Sequence, residues 1–147
     1  MANTKSVRYS VPKFMPVTGA AAHLEDYVNV AAAASGDTFD WVLPAGFELS
    51  ALSLQTQGAL DTNGSPTLAY KLGYLPVDST SSLTPVDNYF AAAGATGLRA
   101  GGRISCAFEP ITFNEDVIVR LTLTAAAATL AAGRLWLIAS GNCNGPK

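Results

Sequence analysis

The stretch DVIVRLTLTAAAATLAAGRLWLIAS, residues 116–140, decides the fold class. Val117, Val119, Leu121 and Leu123 alternate with Ile118, Arg120, Thr122 and Thr124. A side-chain period of two belongs to a half-buried extended chain, not to a helix. The alternation resumes at Leu135 and Leu137, set against Arg134, Trp136 and Ile138. Between the two runs lies an alanine-rich connector, residues 125–132. Four consecutive alanines favour a helix by intrinsic propensity, but so short a segment does not nucleate one alone in water. The expectation is a pair of strands that extend into the connector, turn near Thr129 or Gly133, and close the fold as a hairpin.

The same period recurs outward from this pair. Leu68, Tyr70, Leu72 and Tyr74 share one face of residues 67–75, and Phe39, Trp41 and Leu43 share one face of Thr38–Leu43. In residues 47–57 the apolar phase runs Phe47, Leu49, Ala51 and then slips to Leu52 and Leu54, the mark of a bulge. Residues 20–34 read as a strand through Leu24, Asp26, Val28 and Val30, with a short helix as the alternative because alanines flank it. Ile104–Phe108 reads as a further strand, whereas residues 76–103 read as long loops carrying one short strand. Short strands separated by Gly, Pro, Asn and Asp signals make an all-β protein: a single antiparallel β-sandwich, jelly-roll-like, of about eight strands. Residues 1–18 are expected to form an extended N-terminal arm, since Pro12 and Pro16 bar a helix or a central strand. The arm makes an edge strand, reaches a neighbouring subunit, or frays. The sandwich domain is assigned to residues 19–141 and a C-terminal tail to 142–147.

The 147 residues are 49% hydrophobic but only 14% charged, against roughly 25% charged in an average domain. Small uncharged residues fill the gap, which suits burial against partners. A net charge of −2 and nine scattered Lys and Arg residues give no phosphate-neutralising cluster, so no nucleic-acid partner is expected. No apolar run approaches the roughly 18 residues of a membrane span, and no secretory leader pattern follows Met1. Cys106, in an apolar run, reads as a buried free thiol and Cys143 lies in a polar tail; synthesis in a reducing compartment argues against a disulfide between them, which stays the alternative.

Chemistry is missing from the pattern. His23 is the one histidine, and no nucleophile-elbow motif accompanies it. Glu109, Glu115 and Asp116 are close in sequence but show no paired-carboxylate geometry. Asp61-Thr62-Asn63-Gly64 has the opening of a calcium loop, but the twelfth position is Leu72 rather than glutamate, so it reads as a turn. Residues 94–103 combine glycines with Arg99 and Arg103 without a Gly-Lys-Ser/Thr ending. The sequence therefore implies no catalytic residues, no metal and no cofactor, and the two arginines become candidates for pairing with acidic groups of a partner.

The step from residue 37 to 46, DTFDWVLPAG, followed by a strand over 47–54, resembles the bacteriophage head decoration (cement) proteins. So do the alternation of 67–74, the AAAGATG ending at Gly97, and the strand, Ala/Thr turn and strand of 116–140. The resemblance implies a capsid-surface virion protein made in the host cytoplasm. It would bind the major capsid protein and stabilise the icosahedral shell as a homo-oligomer, by the family a trimer. It places Arg8, Tyr9, Phe14 and Met15 at the shell or a neighbouring subunit. Two other roles compete with this one. One is a minor tail, collar or fibre-associated component. The other is a carbohydrate-binding module with Trp41, Trp136, Tyr70 or Tyr74 as its aromatic platform.

Overall fold

The computed structural model describes residues 1–11, 13 and 20–144. Among these, the strands are β1 Asn3–Lys5, β2 Ala21–Val30, β3 Thr38–Leu43, β4 Phe47–Thr56, β5 Ala69–Pro76, β6 Val86–Ala95, β7 Gly102–Ser105, β8 Ile111–Thr112, β9 Val117–Ala125 and β10 Gly133–Cys143, with one 3₁₀ turn at Gly97–Arg99. They form two sheets, β1-β3-β9-β5-β6 and β2-β10-β4-β7, with β8 added to β4. Without the short β1 and β8, the eight remaining strands alternate between sheets at every connection except β5–β6. Two sheets wound in this way are a jelly roll, as the sequence led us to expect.

The alternation in the sequence is the alternation of burial. Val117, Val119, Leu121 and Leu123 of β9 point inward and are buried, together with Phe39, Trp41 and Leu43 of β3 and Leu68, Tyr70, Leu72 and Tyr74 in and before β5. Across the sandwich they meet Val28, Leu52, Leu54, Leu135 and Leu137 of the other sheet in one continuous core. The phase slip in β4 is a bulge: Leu49 pairs with Gly141 and Ala51 with Ser140, leaving Ser50 as the extra residue.

The expected hairpin of residues 116–140 is corrected. β9 pairs with β3 and β5, while β10 pairs with β2 and β4. The two strands lie in opposite sheets, and the alanine connector crosses the end of the sandwich between them. Alternating strands look the same whether they pair edge to edge or pack face to face, so their period did not separate the two arrangements. Residues 76–103 also differ from expectation. They carry the ten-residue strand β6, whose pairing with β5 slips between Tyr70↔Ala95 and Leu72↔Ala91 and again before Tyr74↔Val86. The first slip breaks the ladder but keeps the facing, whereas the second inserts an odd number of residues and reverses which side chains face inward, so no single period runs through β6. The strand expected over Ile104–Phe108 ends at Ser105, although the Cys106 N–H still donates to the Leu52 carbonyl at 2.9 Å. At the other end β10 continues to Cys143, past residue 141, and Cys143 is buried rather than in a polar tail.

The described part of the arm is bound to its own domain. β1 lies parallel to β3 at the sheet edge. The Ser6 N–H donates to the Asp40 carbonyl (2.8 Å), and the Val7 N–H donates to the Tyr27 carbonyl in the other sheet (2.9 Å). The chain thus crosses from one sheet edge to the other. It is fastened by Asp37, whose carboxylate accepts the Ala2 and Ala34 N–H groups at 2.9 Å each. Those two bonds hold its carboxyl below the usual carboxylate range.

Beside the arm, the buried Asp40 receives Arg120 in a fork, Nε to Oδ1 at 2.7 Å and Nη2 to Oδ2 at 2.8 Å, and also Asn3 Nδ2 at 2.8 Å. Removing the guanidinium leaves a buried carboxylate with too few donors. The Arg120 side chain is 35% exposed, so solvent screening keeps the loss below that of a fully buried pair. Arg120→Met is expected to cost about 2 kcal/mol, read as a lower urea midpoint at unchanged slope. Arg120→Lys, which keeps the charge but not the fork, should fall between. Equal midpoints for wild type and Arg120→Met would show that the pair contributes nothing.

Candidate interface

The outward face of the β2-β10-β4-β7 sheet carries one continuous cross-strand row. Tyr27, Trp136, Gln55 and Arg103 stand opposite one another in register across β2, β10, β4 and β7. Their neighbours Val28, Leu135, Leu137 and Leu54 point inward and are buried, so the period of two puts the row on the outside. The Tyr27 and Trp136 rings lie 4.7 Å apart, and the Arg134 guanidinium sits 4.7 Å above the Tyr27 ring. Trp136 forms the wall between two hollows. A smaller one of about 110 Å³ is lined by Val7, Arg8, Glu25, Asp26 and Tyr27. A larger one of about 580 Å³ is lined by residues 56–60 and 131–134.

The larger hollow is held open by Asp61, which joins the loop after β4 to the alanine connector. Asp61 is 2% exposed. Its Oδ2 accepts the N–H groups of Thr67 (2.8 Å), Ala128 (3.0 Å) and Leu68 (3.1 Å), and its Oδ1 accepts those of Thr129 (3.0 Å) and Asn63 (3.3 Å). Burial opposes ionisation, but the Ala128, Thr129, Leu68 and Thr67 donors outweigh it and hold the carboxyl well below its ordinary value. Backbone bonds between Thr62 and Thr129 (2.9 Å) and between Ala131 and Leu60 (3.0 Å) complete the joint. The calcium-like opening at Asp61 is therefore an anchor for the turn, its carboxylate already supplied with N–H donors.

Arg8 and Arg103, two of the expected contact residues, lie exposed at opposite margins of this face. The Arg8 N–H is held by the Asp26 carboxylate at 3.0 Å. Tyr9 is half-buried, with Lys5 Nζ 4.5 Å above its ring, and burial raises its pKa. Arg99 is committed within the chain: Nε donates to the Leu68 carbonyl at 2.6 Å and Nη2 to that of Thr67 at 3.3 Å. Phe14 and Met15 lie outside the described residues. Of the rings considered as a platform, Trp41, Tyr70 and Tyr74 are buried in the core, and burial pushes the Tyr70 hydroxyl up to about 12. Trp136 alone of that set reaches the surface. Both cysteines are free, as expected, and burial pushes the Cys106 thiol up to about 11, leaving it protonated and unreactive at neutral pH.

Sequence reasoning placed Arg134 on the face of Trp136 but missed Tyr27 as their companion. The outward phase of Glu25, Tyr27 and Asn29 was legible. That β2 lies beside β10 was not, because nearly the whole chain separates them.

The fold has close counterparts among solved phage capsids. A chain of the capsid of Ralstonia phage GP4 matches with a TM-score of 0.76 and 24% identity, over 99% of this chain and all (100%) of that one. A chain of the cyanophage Pam1 capsid asymmetric unit matches with a TM-score of 0.66 and 18% identity, over 88% of this chain and 89% of that one. At these identities the likeness establishes a shared β-sandwich fold. No protein-family model and no curated protein matches the chain.

Proposed function

We propose that the chain is a structural component of a phage virion, and within the virion a head decoration protein that binds the major capsid protein and reinforces the shell. One observation carries this reading: the fold agrees end to end with a chain of a phage capsid, with almost nothing left over on either side. The low charge content and the exposed aromatic–arginine face agree with a protein that works by contact. Arg8 and Tyr9, on the arm where it crosses the sheet edges, and Phe14 and Met15 beyond it belong to the contact region in this reading. The family resemblance makes the oligomer a trimer, which the solution mass would read directly.

The experiment is localisation on particles. Antibody-gold labelling of virions, together with head occupancy from quantitative mass spectrometry, is expected to place the chain on heads at many copies each. Labelling confined to tails or collars would replace the decoration role with that of a tail or collar component. Absence from purified particles would end the virion reading altogether.

A further inference from the structure

We infer that the outer face of the β2-β10-β4-β7 sheet, centred on Trp136, is the surface by which the chain docks, and that its partner is a protein surface bearing carboxylates around an apolar protrusion. The inference rests on the virion reading above and specifies which face meets the shell.

Three observations converge on this face. Its composition is that of an interface centre: Trp, Tyr and Arg, the residue types that dominate binding energy when a partner excludes water from them. Its charge runs against the rest of the molecule. The chain carries a net charge of −2, yet Arg8, Arg103 and Arg134 ring the face, and none is within ion-pair distance of a carboxylate among the described residues. The acidic groups nearby are already engaged. Glu25 lies 3.5 Å from His23, and Asp26 accepts the N–H groups of Arg8 and Tyr27. Unpaired guanidinium groups favour a partner of opposite sign, which steers encounter and sets register.

The third observation is shape. Trp136 stands between two hollows, and small residues wall the larger one, among them Gly58, Ala59, Ala131 and Ala132. Asp61 fixes both loops that bound it, so the hollow is pre-formed and little ordering cost attends its occupation. An apolar side chain of the partner entering there would pack on the Trp136 ring, with carboxylates reaching Arg134 on one side and Arg103 on the other.

The test uses the full chain and heads purified from a phage mutant that lacks it, with bound protein measured by co-sedimentation. Wild type should bind, and its binding should weaken as sodium chloride rises from about 50 to 500 mM. Arg103→Glu with Arg134→Glu should lower affinity at least about tenfold, and Trp136→Ala by a similar factor. Thermal unfolding verifies that each variant is folded. The exposed arginine variants keep the test decisive if Trp136→Ala does not fold. Oxidative footprinting should show Trp136 modified in the free protein and protected on heads.

Wild-type binding that both variants retain in full would overturn the docking face and leave the virion reading standing. Heads that fail to bind wild type would instead remove the head-decoration reading beneath it. A change in solution mass on Arg103→Glu and Arg134→Glu would make this face a contact between copies. Binding of a glycan array that depends on Trp136 while head binding does not would make it a carbohydrate site. Either outcome overturns the inference.

Discussion

Asp61→Ala should lower the melting temperature by on the order of 15 °C, the largest loss expected from any single side chain outside the apolar core. Five backbone N–H groups converge on one buried carboxylate, and truncation takes the acceptor from all of them, four part-buried and that of Leu68 fully buried. An unsatisfied buried donor costs far more than an average hydrogen bond contributes. Both loops at this end of the sandwich would loosen together, because Asp61 is their common anchor. Asp61→Asn separates geometry from charge. Its amide oxygen can replace one carboxylate oxygen, but its NH₂ group then faces at least two N–H donors, so its melting temperature should fall between wild type and alanine. The pH dependence has a definite sign. The folded carboxyl lies well below the unfolded value, so its contribution is complete above about pH 4 and is lost as pH falls toward the folded value. The gap between wild type and Asp61→Ala should therefore be wider at pH 7 than at pH 3. Equal melting temperatures at pH 7 would remove Asp61 from the role assigned to it.

Local features were legible where a local pattern has a local cause. The strand faces of β3, β5, β9 and β10, the bulge in β4 and the sandwich class all follow from alternation, which the backbone imposes on every pair of residues. What escaped was set by pairing across long sequence separations. The register of β2 against β10 brings Tyr27 to Trp136, a meeting that no period within either strand encodes. β6 was hidden because its register slips against β5 leave no phase to follow. Asp61 resembled a turn residue, and it is one, but its donors come from residues 67–68 and 128–129 as well as from the turn itself. The candidate face was half visible in consequence. An outward Trp136 could be inferred from Leu135 and Leu137, with Arg134 on the same face, while the other arginines around it, Arg8 and Arg103, lie far away in the sequence. Only the jelly-roll winding gathers them.

The same separation between a local signal and its distant partner underlies the second large effect. Gly141→Ala should cost about 3 kcal/mol, in the range of severe overpacking. The bulge in β4 pushes the backbone of residues 48–50 against β10, and a Cβ at Gly141 would fall inside the van der Waals envelope of the Glu48 carbonyl oxygen, with the Ser50 nitrogen close behind. A side-chain neighbour could rotate away, but a carbonyl in a paired strand cannot move without breaking ladder bonds. The bulge is visible in the sequence as the slip from Leu49 to Leu52, and the residue that makes room for it lies on another strand, far along the chain. Relief would require β4 to shift, which would move Leu52 and Leu54 out of the core or displace Gln55 beneath Trp136. Gly64→Ala is the matched control, because a Cβ there meets nothing within 4 Å, and it should leave stability nearly unchanged. Urea titrations of the two variants side by side would decide the matter. If Gly141→Ala unfolded at the same urea concentration as Gly64→Ala, the bulge would not press on β10 as the geometry requires.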